Sequence, residues 1–186
     1  MQRIWITGFR SAELGLFGNK DPKRDVLLFA LTKLLTRRLD EGAEWLITGG
    51  QMGIEQLAIE AGLALKTTHP ELKIAMMLPF KDFGANWNEA NQAKLQQLKS
   101  QVDYAAATSS LAYQNPQQLK GYQEFMLTHT DLGVVFYDEQ APESKTRYTY
   151  EAMQARHAQN AYEYQLIDFD KLQEFANEYQ EMHQEW

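Results

Sequence analysis

The sequence contains no cysteine, which removes disulfides, thiolate nucleophiles and cysteine-held zinc from consideration. It also lacks any apolar run near the roughly 20 residues needed to span a bilayer. The opening MQRIWITGFR does not carry the successive charged, apolar and small-residue regions of a signal peptide. Cytoplasmic residence without membrane association is therefore the expectation. Basic residues are in deficit, with 18 Lys and Arg against 25 Asp and Glu for a formal net charge of -7. That balance argues against a nonspecific nucleic-acid binder, which presents a basic face, and leaves small anionic ligands open. Histidines 69, 129, 157 and 183 show neither HExxH nor clustered ligand spacing, so no metal site is expected. Ser11, Ser109 and Ser110 lack a nucleophile-elbow setting, and no catalytic residue is assigned.

What is present suits one compact domain: 186 residues, 44% of them hydrophobic, with four tryptophans and nine tyrosines. Apolar strand-like runs alternate with helical periodicity. Strands are predicted at 3–7 (RIWIT), 44–48 (EWLIT), 72–78 (LKIAMML), within 102–108 (VDYAAAT), at 131–138 (DLGVVFYD) and at 162–169 (YEYQLIDF). Helices are predicted at 23–41, from Ile54 to Leu65, at 88–101, 116–129 and 148–160, and in the acidic C-terminal tail. Residues 8–22 read as a long glycine-punctuated loop. This order predicts an α/β fold, a doubly wound, mostly parallel sheet with helices on both faces. Such sheets place ligands beside the carboxyl ends of their strands, which gathers loops 8–20, 49–53, 79–88 and 138–147 at one edge.

The stretch WLITGGQMGIEQLAIEAG at 45–62 is the most suggestive. An apolar run ends in Gly49 and Gly50, Gly53 follows, and a helix starts at once. Backbone amides there can surround a phosphate with help from the helix dipole, or the glycines can serve a purely structural turn. A larger residue at Gly53 is expected to obstruct phosphate approach or strain the turn, with limited loss of folding. Glu55, in the first helical turn, has two readings: a favourable charge at a helix N-terminus, or an acceptor for ribose hydroxyls. Arg10 follows the first strand and can grip a phosphate through two nitrogens. Trp87 beside Asn88 and Asn91 can stack on and read a base, or pack and cap a helix through Asn86 or Asn88. Asp138 ends a strand and can bond a sugar or form a turn. Lys145 and Arg147 can neutralise phosphate or form a solvated charge run.

Taken in order, TGFRSAELGLFG, ITGGQMGIEQLAIEAG, PFKDFGANWNEAN, YQNPQQL and FYDE resemble the YpsA family, a bacterial group in the SLOG superfamily of Rossmann-like nucleotide-binding folds. The resemblance covers nearly the whole chain. It implies a nucleotide-related ligand, of ADP-ribose or NAD type, held by a sensor or regulatory module. A protein partner or a homo-oligomer is left open. It strengthens Gly53 and Glu55, with Gly49 and Gly50 in the same turn, and adds Gly8 and Arg10 of TGFR and the NWNEAN segment as pocket elements. LOG-type phosphoribohydrolases of the superfamily, which cleave a nucleoside monophosphate between base and sugar, imply the alternative of an enzyme. Those enzymes carry a later PGGxGTxxE loop; here the corresponding EQAPESKTRYTYEA has no glycine pair. DprA-type DNA-binding proteins share the superfamily, but this acidic chain has no basic, aromatic-interleaved strip.

Overall fold

The structure, a computed structural model, describes residues 2–16, 18, 20–141, 143–159 and 161–184. Residue 160, the last of the predicted helix 148–160, and positions 17 and 19 of the predicted loop lie outside the described residues. Among the described residues six strands form one sheet: β1 (Gln2–Gly8), β2 (Ala43–Thr48), β3 (Lys73–Leu78), β4 (Tyr104–Ala107), β5 (Leu132–Phe136) and β6 (Glu163–Ile167). Their order is β4-β3-β2-β1-β5-β6 and every neighbouring pair is parallel. The chain winds outward from β1 in one direction through β4, then returns to β1's other side with β5. The predicted doubly wound sheet is what forms, and its topological switch point lies between β1 and β5.

Among the described residues seven helices accompany the strands: α1 (Ser11–Leu14), α2 (Pro22–Asp40), α3 (Ile54–Leu65), α4 (Glu89–Gln101), α5 (Gln117–His129), α6 (Thr146–Ala158) and α7 (Phe169–Met182). Strand periodicity sorts the core into two layers. Ile4, Ile6, Ile74, Met76, Leu132 and Val134 pack with α2 and α3 through Leu31, Leu35, Ile54 and Ile59. On the opposite face Trp5, Met77, Val135 and Tyr137 pack with Met126 and Leu127 of α5 and with Tyr150 and Met153 of α6. Both faces are thus buried, which is why the strands read as continuous apolar runs. Among the described residues no helix is long and apolar enough to cross a membrane.

The predicted loop 8–22 differs in detail. It contains α1, started by the Arg10 amide donating to Glu13 Oε1 at 2.9 Å and ended by Gly15 in the left-handed region at φ 67°. A helix of four residues is too short for periodicity to reveal. α2 begins where Asp21 accepts from the Lys23 amide at 3.0 Å, with Pro22 in its first turn.

Candidate ligand-binding cleft

At the switch point a cleft of about 610 Å³ opens between the ends of β1 and β2, α5 and the start of α6. Its inner wall comes from β1. Trp5 and Thr7 sit two residues apart, on the strand face that looks toward α5 and α6, and both line the cleft. Gly8 at the strand end and Arg10 beyond it continue the wall, and Gly50, Gln51 and Glu55 add the turn after β2. Pro79 and Phe83 border it from the loop after β3, while Tyr122, Gln123, Lys145 and Thr149 close it from α5 and α6.

Glu55 is half-buried in this wall, and both its carboxyl oxygens are engaged. The Thr7 hydroxyl donates to Oε2 at 2.8 Å, and the Gln51 amide donates to Oε1 at 3.0 Å. Burial pushes its pKa above the ordinary carboxyl range, opposed by those two hydrogen bonds and by the charge of Arg10. The Tyr122 hydroxyl is raised well above the usual phenol value, mainly by burial and secondarily by the charge of Glu55, so it stays protonated at neutral pH.

The glycine turn has a different reason from the one its sequence suggests. Gly53 adopts φ 107°, and a Cβ there would lie 2.5 Å from the Phe9 carbonyl oxygen and 2.7 Å from the Ser11 nitrogen. Gly53 pairs with Arg10 in an antiparallel bridge, flanked by Ser11 N–H donating to Met52 O and Ile54 N–H donating to Phe9 O. What approaches this glycine is the chain's own backbone. Gly49 leaves room for the Glu55 carboxyl and the Tyr122 hydroxyl, which a Cβ would strike. Gly50 borders the cleft, and a Cβ there would meet Leu95 and Leu78 side chains. The amides of Gln51, Met52, Ile54 and Gln56 all donate within the protein. The turn therefore packs the loop after β1 against α3, and its Gln51 amide takes an internal carboxylate.

Positive charge reaches the cleft from elsewhere. Arg10, Lys120 and Lys145 line it, against Glu55 as the one carboxylate among its described lining residues. Lys145 directly precedes α6, and Thr146 and Thr149 in the first turn of that 13-residue helix also face the cleft. The helix dipole adds attraction for an anion at this end. Arg147, by contrast, pairs with Glu151 at 3.2 Å.

Of the residues expected at the site, Gly8, Arg10, Gly50 and Glu55 line the cleft. Gly49 and Gly53 shape it from behind. Three others lie outside its described lining. Trp87 packs edge-on to Phe83 with ring centroids 5.3 Å apart, so Phe83 and not Trp87 borders the cavity. Asn88 accepts from the Asn91 amide at 2.8 Å and caps α4. Asp138 accepts from the Gln140 amide at 2.8 Å and from the Phe169 amide at 3.0 Å, pinning the end of β5 to the start of α7. The side-chain oxygens of Asn88 and Asp138 thus accept from local backbone. Trp5, Thr7, Lys120, Tyr122, Thr146 and Thr149 escape sequence reasoning. For Trp5 and Thr7 the signal exists, since alternation in RIWIT puts both on one strand face; the α5 and α6 residues carry none.

With this geometry in place, comparison with known proteins is direct. The sequence model of the YpsA family, described as the YspA SLOG family, matches residues 4–172. The chain is 56% identical over 181 residues to a UPF0398 protein of Levilactobacillus brevis, covering 97% of this chain and 95% of that protein. It is 55% identical over 181 residues to a UPF0398 protein of Lactiplantibacillus plantarum, with the same coverage. Against a UPF0398 protein of Leuconostoc citreum it is 49% identical over 185 residues, covering 100% of this chain and 97% of the other. The switch-point cleft and its GGQMGIE turn are thus those of a chain that belongs to the YpsA family of SLOG proteins.

Proposed function

We propose that the chain binds a nucleotide-like anion of ADP-ribose or NAD type in the switch-point cleft and works as a sensor or regulatory module. One observation carries the reading: Arg10, Lys120 and Lys145 face a cleft that holds a single carboxylate, in a chain whose formal net charge is -7. Concentrating cations there opposes the overall acidity and favours a phosphate-bearing ligand. The cleft's volume falls within the roughly 300–1,000 Å³ of small-molecule sites. Trp5, Phe83 and Tyr122 supply aromatic surface for a flat heterocycle. Thermal shift and calorimetry with ADP-ribose, NAD, AMP and adenosine test it. Phosphate-bearing compounds should bind and adenosine should bind far more weakly.

Cleavage of a nucleotide between base and sugar is the second reading, favoured by the Glu55 carboxyl, which lies in the cleft wall with a raised pKa. Both its oxygens are already committed to Thr7 and Gln51, which supports the holding role over the catalytic one. Free base accumulating from AMP, and lost in Glu55→Gln, would establish the enzyme.

A further inference from the structure

Trp5 is 1% exposed and lines the ligand cleft, and its indole Nε1 meets no hydrogen-bond partner among the described residues. An indole N–H can only donate, and buried donors are paired as a rule. Around Trp5 the buried cluster is apolar, formed by Met77, Leu127 and Val135 among others. The cleft's three cations, Arg10, Lys120 and Lys145, are all exposed. Charge and depth are therefore separated: the cations are exposed, and the unpaired indole N–H sits in the buried wall.

We propose that the Trp5 indole N–H selects the ligand by donating to an uncharged acceptor, a ring nitrogen or carbonyl oxygen of a heterocyclic base. The base then enters first and the phosphate stays outward at Arg10 and Lys145. This orientation rests on the reading of the cleft as a nucleotide site. The reverse pose would bring a phosphate to the buried Trp5 among apolar side chains, where desolvation of its charge is unfavourable. A flat base in the same place gains apolar burial and pairs the indole N–H.

The test compares AMP with ribose 5-phosphate, which keeps the sugar and phosphate and lacks the base. In calorimetry on the full chain, Trp5→Phe should weaken AMP about three- to tenfold, the scale of one neutral hydrogen bond, and leave ribose 5-phosphate unchanged. Lys145→Ala should weaken both. Indole ¹⁵N–¹H spectra of the wild-type protein give an independent readout should Trp5→Phe fail to fold. The chain has four tryptophans, and Trp→Phe changes at 45, 87 and 186 assign the Trp5 signal by elimination. That signal should move on AMP addition and stay in place with ribose 5-phosphate. Equal AMP affinity in Trp5→Phe, or a Trp5 signal unmoved at saturating AMP, would overturn the orientation while the nucleotide reading stands. Binding of ribose 5-phosphate as tight as AMP would overturn it too. Failure of every phosphate-bearing probe to bind the wild-type chain would remove the nucleotide reading and this inference with it.

Discussion

The Thr7 hydroxyl donates to Glu55 Oε2 at 2.8 Å, joining the end of β1 to the first turn of α3. The other oxygen of the same carboxyl takes the Gln51 amide at 3.0 Å. The protein thus places its own anion inside the glycine turn. Arg10, bridged to Gly53 beside this turn, and Lys145, before α6 on the other side of the cleft, are the electrostatic partners that the proposed function offers a ligand phosphate.

Glu55→Gln should change how stability depends on pH. The folded carboxyl titrates above its usual value of 4.5, chiefly because burial disfavours its charge. A raised folded pKa contributes stability that is fully present below the unfolded value and is lost as pH rises through the folded one. The variant lacks this loss, so its stability relative to wild type should improve as pH rises from the unfolded value of about 4.5 through the raised folded one. Urea unfolding of both proteins across that range checks it. A difference that stays flat would mean that Glu55 is not desolvated.

Gly53→Ala should cost about 2 kcal/mol or more of folding stability, since the backbone sits at φ 107° and the new Cβ would collide with Phe9 and Ser11 backbone. Reduced ligand binding would follow from the displaced Arg10 loop. Chemical denaturation measures the cost. An unchanged unfolding midpoint together with lost affinity would show instead that a ligand, not the loop after β1, approaches this glycine.

The two glycine outcomes mark what a sequence discloses and what it does not. GGxxG before a helix says that something comes close to the backbone, and it does; the identity of the neighbour depends on how the loop after β1 folds back. The central strands were legible because both their faces are buried, which makes WLI and GVVF continuous apolar runs, whereas the edge strands β4 and β6 are partly exposed and give a weaker signal. Arg10 was legible because it follows β1 at the sheet's carboxyl edge. Trp87, Asn88 and Asp138 also stand near strand ends, yet local hydrogen bonds and the Phe83 ring claim them. Lys120 and Tyr122 come to the cleft through the packing of α5, which no spacing along the chain expresses.

Asn88→Ala and Asp138→Ala should each lower stability by about 1 kcal/mol, through a lost helix cap and lost loop hydrogen bonds respectively. Neither should alter affinity for ADP-ribose. A severalfold loss of affinity at unchanged stability would return the residue to the site.

Lys145→Ala should weaken ADP-ribose binding by about 1.5–3 kcal/mol, the scale of a charge-assisted contact. It should also make the affinity less sensitive to salt, because one exposed cation is gone. Lys145→Arg should retain most of the binding. Equal affinities for wild type and Lys145→Ala across the salt range would remove the start of α6 from the site.

Calorimetric titration of the wild-type chain with ADP-ribose and with adenosine, at low and at physiological ionic strength, decides whether the cleft is a nucleotide site. A nucleotide site should take one ADP-ribose per chain with an affinity that falls as salt rises, and adenosine should bind at least about tenfold more weakly because it lacks phosphates for Arg10, Lys120 and Lys145 to attract. No binding of ADP-ribose, or adenosine binding equally well and independently of salt, would contradict the nucleotide reading.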